Sequence, residues 1–183
     1  MEQLSSREVY RNAWMRVRED DVRRDDGSTG VYGVVDKPDF VLVLPRHDSG
    51  FWMVEQFRYP IGRRAWEFPQ GGWGAGAGGS QEELARAELA EETGLHAESI
   101  GHLGRLATAY GFCSQYFDVY LATGLVDGGA PNREASEQDM VHRAFTDAEV
   151  SDLVISGRMV DAHSLAALSL FRLHTTGPSG LVR

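Results

Sequence analysis

The chain has 183 residues, which is enough for one compact domain with a small appendage. Its formal net charge is −9, and its arginines are scattered among acidic residues, which excludes the broad basic face that nucleic-acid binding needs. No apolar run can span a bilayer, the N-terminus lacks signal-peptide character, and the single cysteine, Cys113, excludes an intrachain disulfide, so we expect a cytoplasmic protein without a membrane partner.

The first part of the chain predicts a β-rich arm over residues 1–38. Residues 7–24 are rich in β-prone side chains and lead into the turn sequence DDGS at 25–28. Residues 31–35 predict the returning strand, which the Lys-Pro pair at 37–38 ends. We assign the remainder, residues 39–183, to one main domain.

The main domain begins with two predicted strands. Residues 40–44 form a continuous apolar run, as in a strand buried on both faces, and residues 51–59 predict the next strand. The glycine-rich segment 71–79 predicts a loop without secondary structure. A helix follows, because Ser80 and Glu83 have the spacing of a capping box and Gly94 is a C-terminal stop signal.

The rest of the chain alternates irregularly between strands and helices. We predict strands at 101–108, 116–123 and 140–145, an acidic loop over 124–139, and helices at 146–156 and 161–174. This irregular order does not fit a repeating βαβ array. It predicts an α+β protein with a mixed sheet packed between helices.

Three glutamates on the first predicted helix carry the strongest chemical signal. Glu88, Glu91 and Glu92 lie within about 100° of arc on one helix face. Because carboxylates that close repel one another, a cation between them would be stabilising, and hard oxygen ligands suit Mg²⁺ or Mn²⁺. A solvated acidic face is the alternative interpretation, and a glutamate-rich helix considered alone favours it.

The sequence ELAEETGL at 88–95 resembles the second half of the Nudix box, and Gly71 matches the glycine that opens the box. The resemblance implies a Nudix-like α/β/α sandwich. It also implies that Glu88 and Glu92 are metal ligands, with Glu91 as an auxiliary metal-binding and catalytic residue. Gln70, which precedes the box glycine, would offer its backbone carbonyl to a metal ion.

Two positions depart from the Nudix box. Ala87 occupies the place of the box arginine, and Gly79 occupies the place of the early glutamate, in a loop that is two residues longer. Arg86 cannot replace the missing arginine, because it points about 160° away from Glu88. We expect Arg86 to pair with Glu82 on the outer face instead.

The glycine loop also offers a competing interpretation. GAGAGG at 74–79 satisfies the dinucleotide-binding fingerprint and precedes a helix, so it could hold a pyrophosphate on backbone amides. The loop does not directly follow an apolar strand, however, and the helix presents carboxylates instead of a smooth packing face. We therefore interpret it as a connection between the metal-site strand and the helix.

Two further segments resemble the ADP-ribose and nucleotide-sugar pyrophosphatase branch of this family: VEQFRYP at 54–60 and WEFP at 66–69. The resemblance implies that Arg58 and Glu67 belong to the substrate site, with Arg58 on the diphosphate. It also implies a homodimer formed through the N-terminal arm. PQGG at 69–72 resembles dinucleoside polyphosphate hydrolases, which remain an alternative. A non-catalytic nucleotide-binding regulatory module is another, because the box is incomplete.

In the nucleotide-sugar branch a glutamate on a late loop commonly acts as general base. The matching segment here is REASEQDM at 133–140, in which Glu137 is the first candidate and Glu134 the second. A solvated acidic loop is the alternative. The resemblance thus implies metal-dependent hydrolysis of a nucleoside diphosphate sugar, with a nucleoside monophosphate and a sugar phosphate as products.

Overall fold

The computed structural model describes residues 1–74, 78–133 and 137–176. The chain divides into two compact units. The first consists of residues 1–40, 72–78 and 105–117, and the second of residues 41–71, 79–104 and 118–183. Within the described ranges, no helix is long and apolar enough to cross a membrane.

The first unit contains an antiparallel three-stranded sheet. Its strands are β1 (Glu2–Arg11), β2 (Arg16–Arg23) and β3 (Thr29–Asp36), in the order β1-β2-β3. The segment predicted as one β-rich stretch is two strands, because the Asn12 side chain accepts hydrogen bonds from the backbone N–H groups of Trp14 and Met15 and turns the chain. The turn predicted at 25–28 is confirmed, with Gly27 at φ 85°.

A seven-stranded sheet forms the rest of the β structure. Its order is β10-β5-β4-β9-β8, with β6 paired to β5 and β7 paired to β4. The strands are β4 (Phe40–His47), β5 (Gly50–Arg58), β6 (Arg63–Glu67), β7 (Gln70–Gly71), β8 (Leu95–Ala107), β9 (Tyr116–Asp127) and β10 (Val141–Thr146). The helices are α1 (Gln81–Thr93), α2 (Asp147–Ile155) and α3 (Ala162–Thr176), and a 3-10 turn spans Tyr59–Ile61. The predicted α+β class is confirmed.

Several strand boundaries differ from those predicted. β8 begins at Leu95 instead of 101, because Gly94 adopts φ 74° and returns the chain into a strand immediately after helix α1. β9 extends to Asp127, which shortens the predicted acidic loop. β6 was not predicted, and β7 lies where the sequence predicted the start of the glycine loop.

The core of the second unit explains the position of helix α1. Val41, Leu42, Val43 and Leu44 are completely buried, as predicted for a strand covered on both faces. The capping box of Ser80 and Glu83 is present, so the helix begins where the sequence predicted. Its buried positions are apolar or small with one exception, Glu92. Packing of helix α1 against the core therefore places the carboxylate of Glu92 in the protein interior.

Candidate active site

Glu92 is the most unusual side chain of the site. Its residue surface is 1% exposed, and within the described part of the chain its Oε2 atom has no hydrogen-bond partner. Burial raises the pKa of Glu92 well above its ordinary value, and the nearby carboxylates of Glu88, Glu137 and Glu67 raise it further. A buried carboxylate in these surroundings is stabilised by a proton or by a cation.

Glu88 lies one helical turn before Glu92 and packs against the backbone of Gly71. A Cβ atom added to Gly71 would overlap the carboxylate of Glu88, so any larger residue there would displace that carboxylate. Strand β7 holds this backbone in place, because Gln70 and Gly71 pair with Leu42 and Val41 of β4. The structure thus brings together three of the residues implicated by the sequence: Glu88, Gly71 and Gln70.

The donor groups at this place fit a hard divalent cation. Among the described residues, no three His, Cys, Asp or Glu side chains are gathered tightly enough to hold an ion by themselves. Mg²⁺, however, commonly uses one or two carboxylates and completes its coordination with water and phosphate oxygens. The unpaired buried oxygen of Glu92, with Glu88 one turn away beside the Gly71 backbone, meets that requirement. Both carboxylates could hold a metal ion shared with a bound phosphate.

The buried carboxylate of Glu67 forms an ion pair with the half-buried Arg58, on the adjacent strands β5 and β6. Arg58 Nε donates to Glu67 Oε2 at 3.1 Å, and Arg58 Nη2 donates to Glu67 Oε1. Gln56 Nε2 also donates to Glu67 Oε1, at 2.9 Å. Burial raises the pKa of Glu67, and the Arg58 guanidinium opposes that shift. The pair places a fixed positive charge close to Glu92, whose pKa it lowers.

The late loop is fixed on both sides of its central residues. Arg133 donates from Nε and Nη2 to the Glu92 carbonyl, at 3.0 and 2.8 Å, and from Nη1 to the Met140 carbonyl. The C-terminal end of helix α1 is therefore tied to the start of β10. Glu137 is half-buried and close enough to raise the pKa of Glu92. The second candidate base, Glu134, lies outside the described residues.

Glu91 faces a different surface of helix α1. It lines a groove of about 310 Å³ that includes neither Glu88 nor Glu92. The other residues of this groove are Ala87, Ala90, Gly94, His96, Gly128, Ala130 and Asn132. Of the three glutamates predicted on one helix face, Glu91 lines this groove, Glu92 is buried, and Glu88 lies against Gly71.

Sequence reasoning missed two contributors to the site. Arg133 was quoted only as part of an acidic loop, and no local pattern showed that its guanidinium would reach helix α1. Asp161 was taken as an ordinary first residue of a helix. It is the N-cap of α3, and its carboxylate also accepts a hydrogen bond from the side chain of Gln70 at 3.2 Å. Its position at a helix N-terminus was the one available signal.

The exposed position of Ala87 allows a direct test of the missing box arginine. We expect Ala87→Arg to leave hydrolysis unchanged or modestly higher, because the new side chain would be an i, i+4 partner for Glu91. Such a pair stabilises an exposed helix by about 0.2–0.5 kcal/mol. Thermal unfolding and steady-state kinetics measure the two effects. Loss of the folded state would show instead that position 87 tolerates no side chain beyond Cβ.

Comparisons with known proteins identify relatives of this chain. Residues 1–35 match the family model for the nucleoside diphosphate sugar hydrolase N-terminal domain, and residues 36–168 match the NUDIX domain model. An ADP-ribose pyrophosphatase of Mycobacterium tuberculosis (strain ATCC 25618 / H37Rv) is 35% identical over 177 residues, which cover 96% of this chain and 85% of the relative. An ADP-ribose pyrophosphatase of Bacillus subtilis (strain 168) is 28% identical over 172 residues, covering 93% and 91%.

A solved structure shares the fold. It is described as the crystal structure of an ADP compounds hydrolase, and it superposes with a TM-score of 0.83 at 22% sequence identity. The superposition covers 97% of this chain and 95% of the other. At that level of identity, the likeness shows that the architecture is the same.

Proposed function

The chain belongs to the Nudix family of hydrolases, and on that premise we propose that it hydrolyses the pyrophosphate bond of a nucleoside diphosphate sugar of the ADP-ribose type. The products are a nucleoside monophosphate and a sugar phosphate. One observation carries the proposal: the helix of the Nudix box buries the Glu92 carboxylate with an unpaired oxygen, one turn from Glu88. Such a pair is suited to a cation that also binds phosphate.

We assign the metal-binding role to Glu88, Glu92 and the backbone carbonyl of Gln70, and we favour Mg²⁺ or Mn²⁺. When bound, divalent ions supply neutralisation of the diphosphate charge and acidification of the attacking water. Burial makes the negative charge of Glu92 unfavourable unless it is compensated, so a bound cation would stabilise the ionised side chain. Glu91 stays a prediction as an auxiliary ligand, on the groove side of the helix.

We assign the orientation of the diphosphate to Arg58. Its Nε and Nη2 atoms are used by Glu67, while its Nη1 atom makes no hydrogen bond to any described residue. A guanidinium fixed on one edge loses little further freedom when its other edge binds a phosphate oxygen. Glu67 therefore serves the substrate site by orienting Arg58. Glu137, close to Glu92, accepts the proton of the attacking water.

The substrate assignment is tested with a panel of nucleotides. ADP-ribose, other nucleoside diphosphate sugars and dinucleoside polyphosphates are incubated with Mg²⁺ or Mn²⁺, and the released monophosphate is measured. We expect AMP and a sugar phosphate from ADP-ribose as the preferred reaction. Turnover of dinucleoside polyphosphates alone would place the chain with the polyphosphate hydrolases. Nucleotide binding without turnover of any substrate would identify a regulatory module.

We also propose that the N-terminal arm, residues 1–38, forms a homodimer in the cytoplasm. All ten residues of β1 are exposed, and the arm exposes a series of large apolar side chains. These are Leu4, Val9, Tyr10, Trp14, Val31 and Tyr32. Exposed apolar side chains concentrated on one sheet are typical of a surface that a partner covers. A second copy of the chain is the partner that the resemblance to the nucleotide-sugar pyrophosphatase branch implies.

We expect Val31→Glu to convert the dimer into a monomer. Val31 is 64% exposed on β3, so the substitution costs the isolated chain little, whereas a buried charge at an interface is strongly unfavourable. Size-exclusion chromatography with light scattering measures the mass. Leu173→Glu is the matched control, since Leu173 is 68% exposed on α3 in the other unit. A monomeric wild type, or a Val31→Glu variant that remains dimeric, would contradict this assignment.

A further inference from the structure

A carboxylate outside the proposed metal ligands lies at the N-terminus of helix α3. Asp161 has a side chain that is 16% exposed, and its Oδ2 atom accepts hydrogen bonds from Ser164 N at 2.9 Å and Ser164 Oγ at 2.7 Å. The first of these is the ordinary N-cap interaction with the third residue of a helix. Oδ2 also accepts a hydrogen bond from Gln70 Nε2 at 3.2 Å, which an N-cap does not require.

The N-terminus of α3 also binds the backbone of Phe68, two residues before Gln70. Ser164 is completely buried, and its Oγ atom accepts a hydrogen bond from Phe68 N at 2.9 Å. Residues 68 and 70 are therefore both connected to the first turn of α3, one through Ser164 and the other directly through Asp161. From the opposite side, Val43 N donates to the carbonyl of Pro69 at 2.9 Å. The peptide units of residues 68–70 are held between β4 and α3.

Asp161 adds a negative charge close to Glu67. Burial alone would raise the pKa of Asp161, but hydrogen bonds with His163 and Ser164 outweigh it and hold that pKa below its ordinary value. Asp161 lies close enough to Glu67 to add to the effect of burial in raising the pKa of Glu67. A serine would cap the helix about as well without adding negative charge to a site that already contains several carboxylates. The longer side chain of aspartate, however, serves Ser164 and Gln70 from one oxygen, which a serine hydroxyl is too short to do. The extra contact to Gln70 is what the serine would lose.

We infer that Asp161 is a positioning residue for the reaction: through Gln70 and Ser164 it fixes the backbone of residues 68–70 and thereby the Gln70 carbonyl offered to the metal ion. This inference rests on the proposed function. Groups that hold metal ligands in place commonly change metal affinity by about 10–100-fold when they are removed. Asp161 therefore sets the affinity for the divalent cation without contacting it.

The test separates the contact to Gln70 from the capping of α3. Asp161→Ser keeps a good N-cap but is too short to reach Gln70, and Gln70→Met removes the Nε2 donor while keeping the backbone carbonyl. We expect each variant to bind Mn²⁺ about 10-fold more weakly, measured by electron paramagnetic resonance of free Mn²⁺ without substrate. The double variant should bind no more weakly than either single variant, because both remove the same contact.

Two controls distinguish positioning from stability. Asp161→Asn keeps a side-chain oxygen that can accept from both Ser164 and Gln70, so its Mn²⁺ affinity should remain close to that of the wild type. Thr146→Ala removes the cap of α2, so it should lower Tm without changing Mn²⁺ affinity. If Asp161→Ser and Gln70→Met leave Mn²⁺ affinity unchanged, or act additively, the inference is wrong although the function stands. A wild type that neither binds Mn²⁺ nor hydrolyses nucleotides would overturn the proposed function itself.

Discussion

Glu92→Gln should lower kcat by about 100-fold or more, the largest effect that we expect from a single substitution. Glutamine keeps the shape of the side chain but cannot supply a negatively charged oxygen to a cation. The loss should appear in kcat and in metal affinity together, measured by steady-state kinetics over a range of Mg²⁺ concentrations. Full activity with intact metal dependence would show that Glu92 is not a metal ligand.

Glu82→Gln is the matched control for that substitution. Glu82 lies on the same helix, on the outer face, where Arg86 Nη2 donates to it at 3.0 Å as the sequence predicted. The control removes the same charge from helix α1 without touching the buried cluster. Because exposed i, i+4 pairs contribute little, we expect activity and Tm close to those of the wild type.

In the metal-free protein, the same substitution, Glu92→Gln, should increase the free energy of unfolding. The pKa of Glu92 is higher in the folded protein than its unfolded value of 4.5, so the stability from its bound proton is complete below that value and is lost as pH rises through the folded pKa. With EDTA present, we expect Glu92→Gln to become progressively more stable than the wild type as the pH rises above the unfolded value of 4.5. Urea unfolding at several pH values measures the difference, and a constant difference would contradict the buried-carboxylate account.

Glu137→Gln should lower kcat by about 100-fold while leaving KM nearly unchanged. Carboxylates bound to cations are poor proton acceptors, so the helix glutamates cannot also serve as the base. Glu137 is half-buried beside Glu92, and its carbonyl accepts a hydrogen bond from Met140 N at 2.9 Å, which holds this part of the loop. Raising the pH should partly rescue the variant, since a higher hydroxide concentration replaces the base.

Glu134→Gln is the comparison for the general base. It changes the second candidate in the same loop, and we expect it to cost less activity than Glu137→Gln. A pH profile of kcat from 6 to 9 distinguishes the two. Wild-type kcat for Glu137→Gln across that range would show that the base lies elsewhere, and a larger loss in Glu134→Gln would exchange the two roles.

The sequence predicted the parts of the fold that depend on local signals. The capping box and Gly94 defined helix α1 correctly, and the apolar run at 40–44 is the buried strand β4. The residues of the Nudix box fixed the family, the class of reaction and the helix that carries the carboxylates. The helix and the strand follow from periodicity, capping and burial, each of which acts over a few residues. The family and the class of reaction came from the resemblance of residues 88–95 to the Nudix box.

The contacts between distant segments could not be predicted in the same way. The ion pair of Arg58 with Glu67 depends on the register of β5 and β6, and β6 gave no strand signal of its own. The contact between Gln70 and Asp161 joins residues 91 positions apart. Helix periodicity placed Glu91 on one face with Glu88 and Glu92, but it could not show that Glu91 lines a groove with residues of distant segments such as Gly128 and Asn132.

The most direct test of the central claim is the release of AMP from ADP-ribose as the divalent cation is removed and restored. The wild type should lose activity in EDTA and regain it when Mg²⁺ or Mn²⁺ is added in excess. Glu92→Gln, measured in parallel at the same protein concentration, should recover no more than about one hundredth of that rate. Two results would contradict a metal-dependent reaction centred on Glu88 and Glu92. One is hydrolysis by the wild type that persists in EDTA, and the other is full activity of Glu92→Gln after the metal is added back.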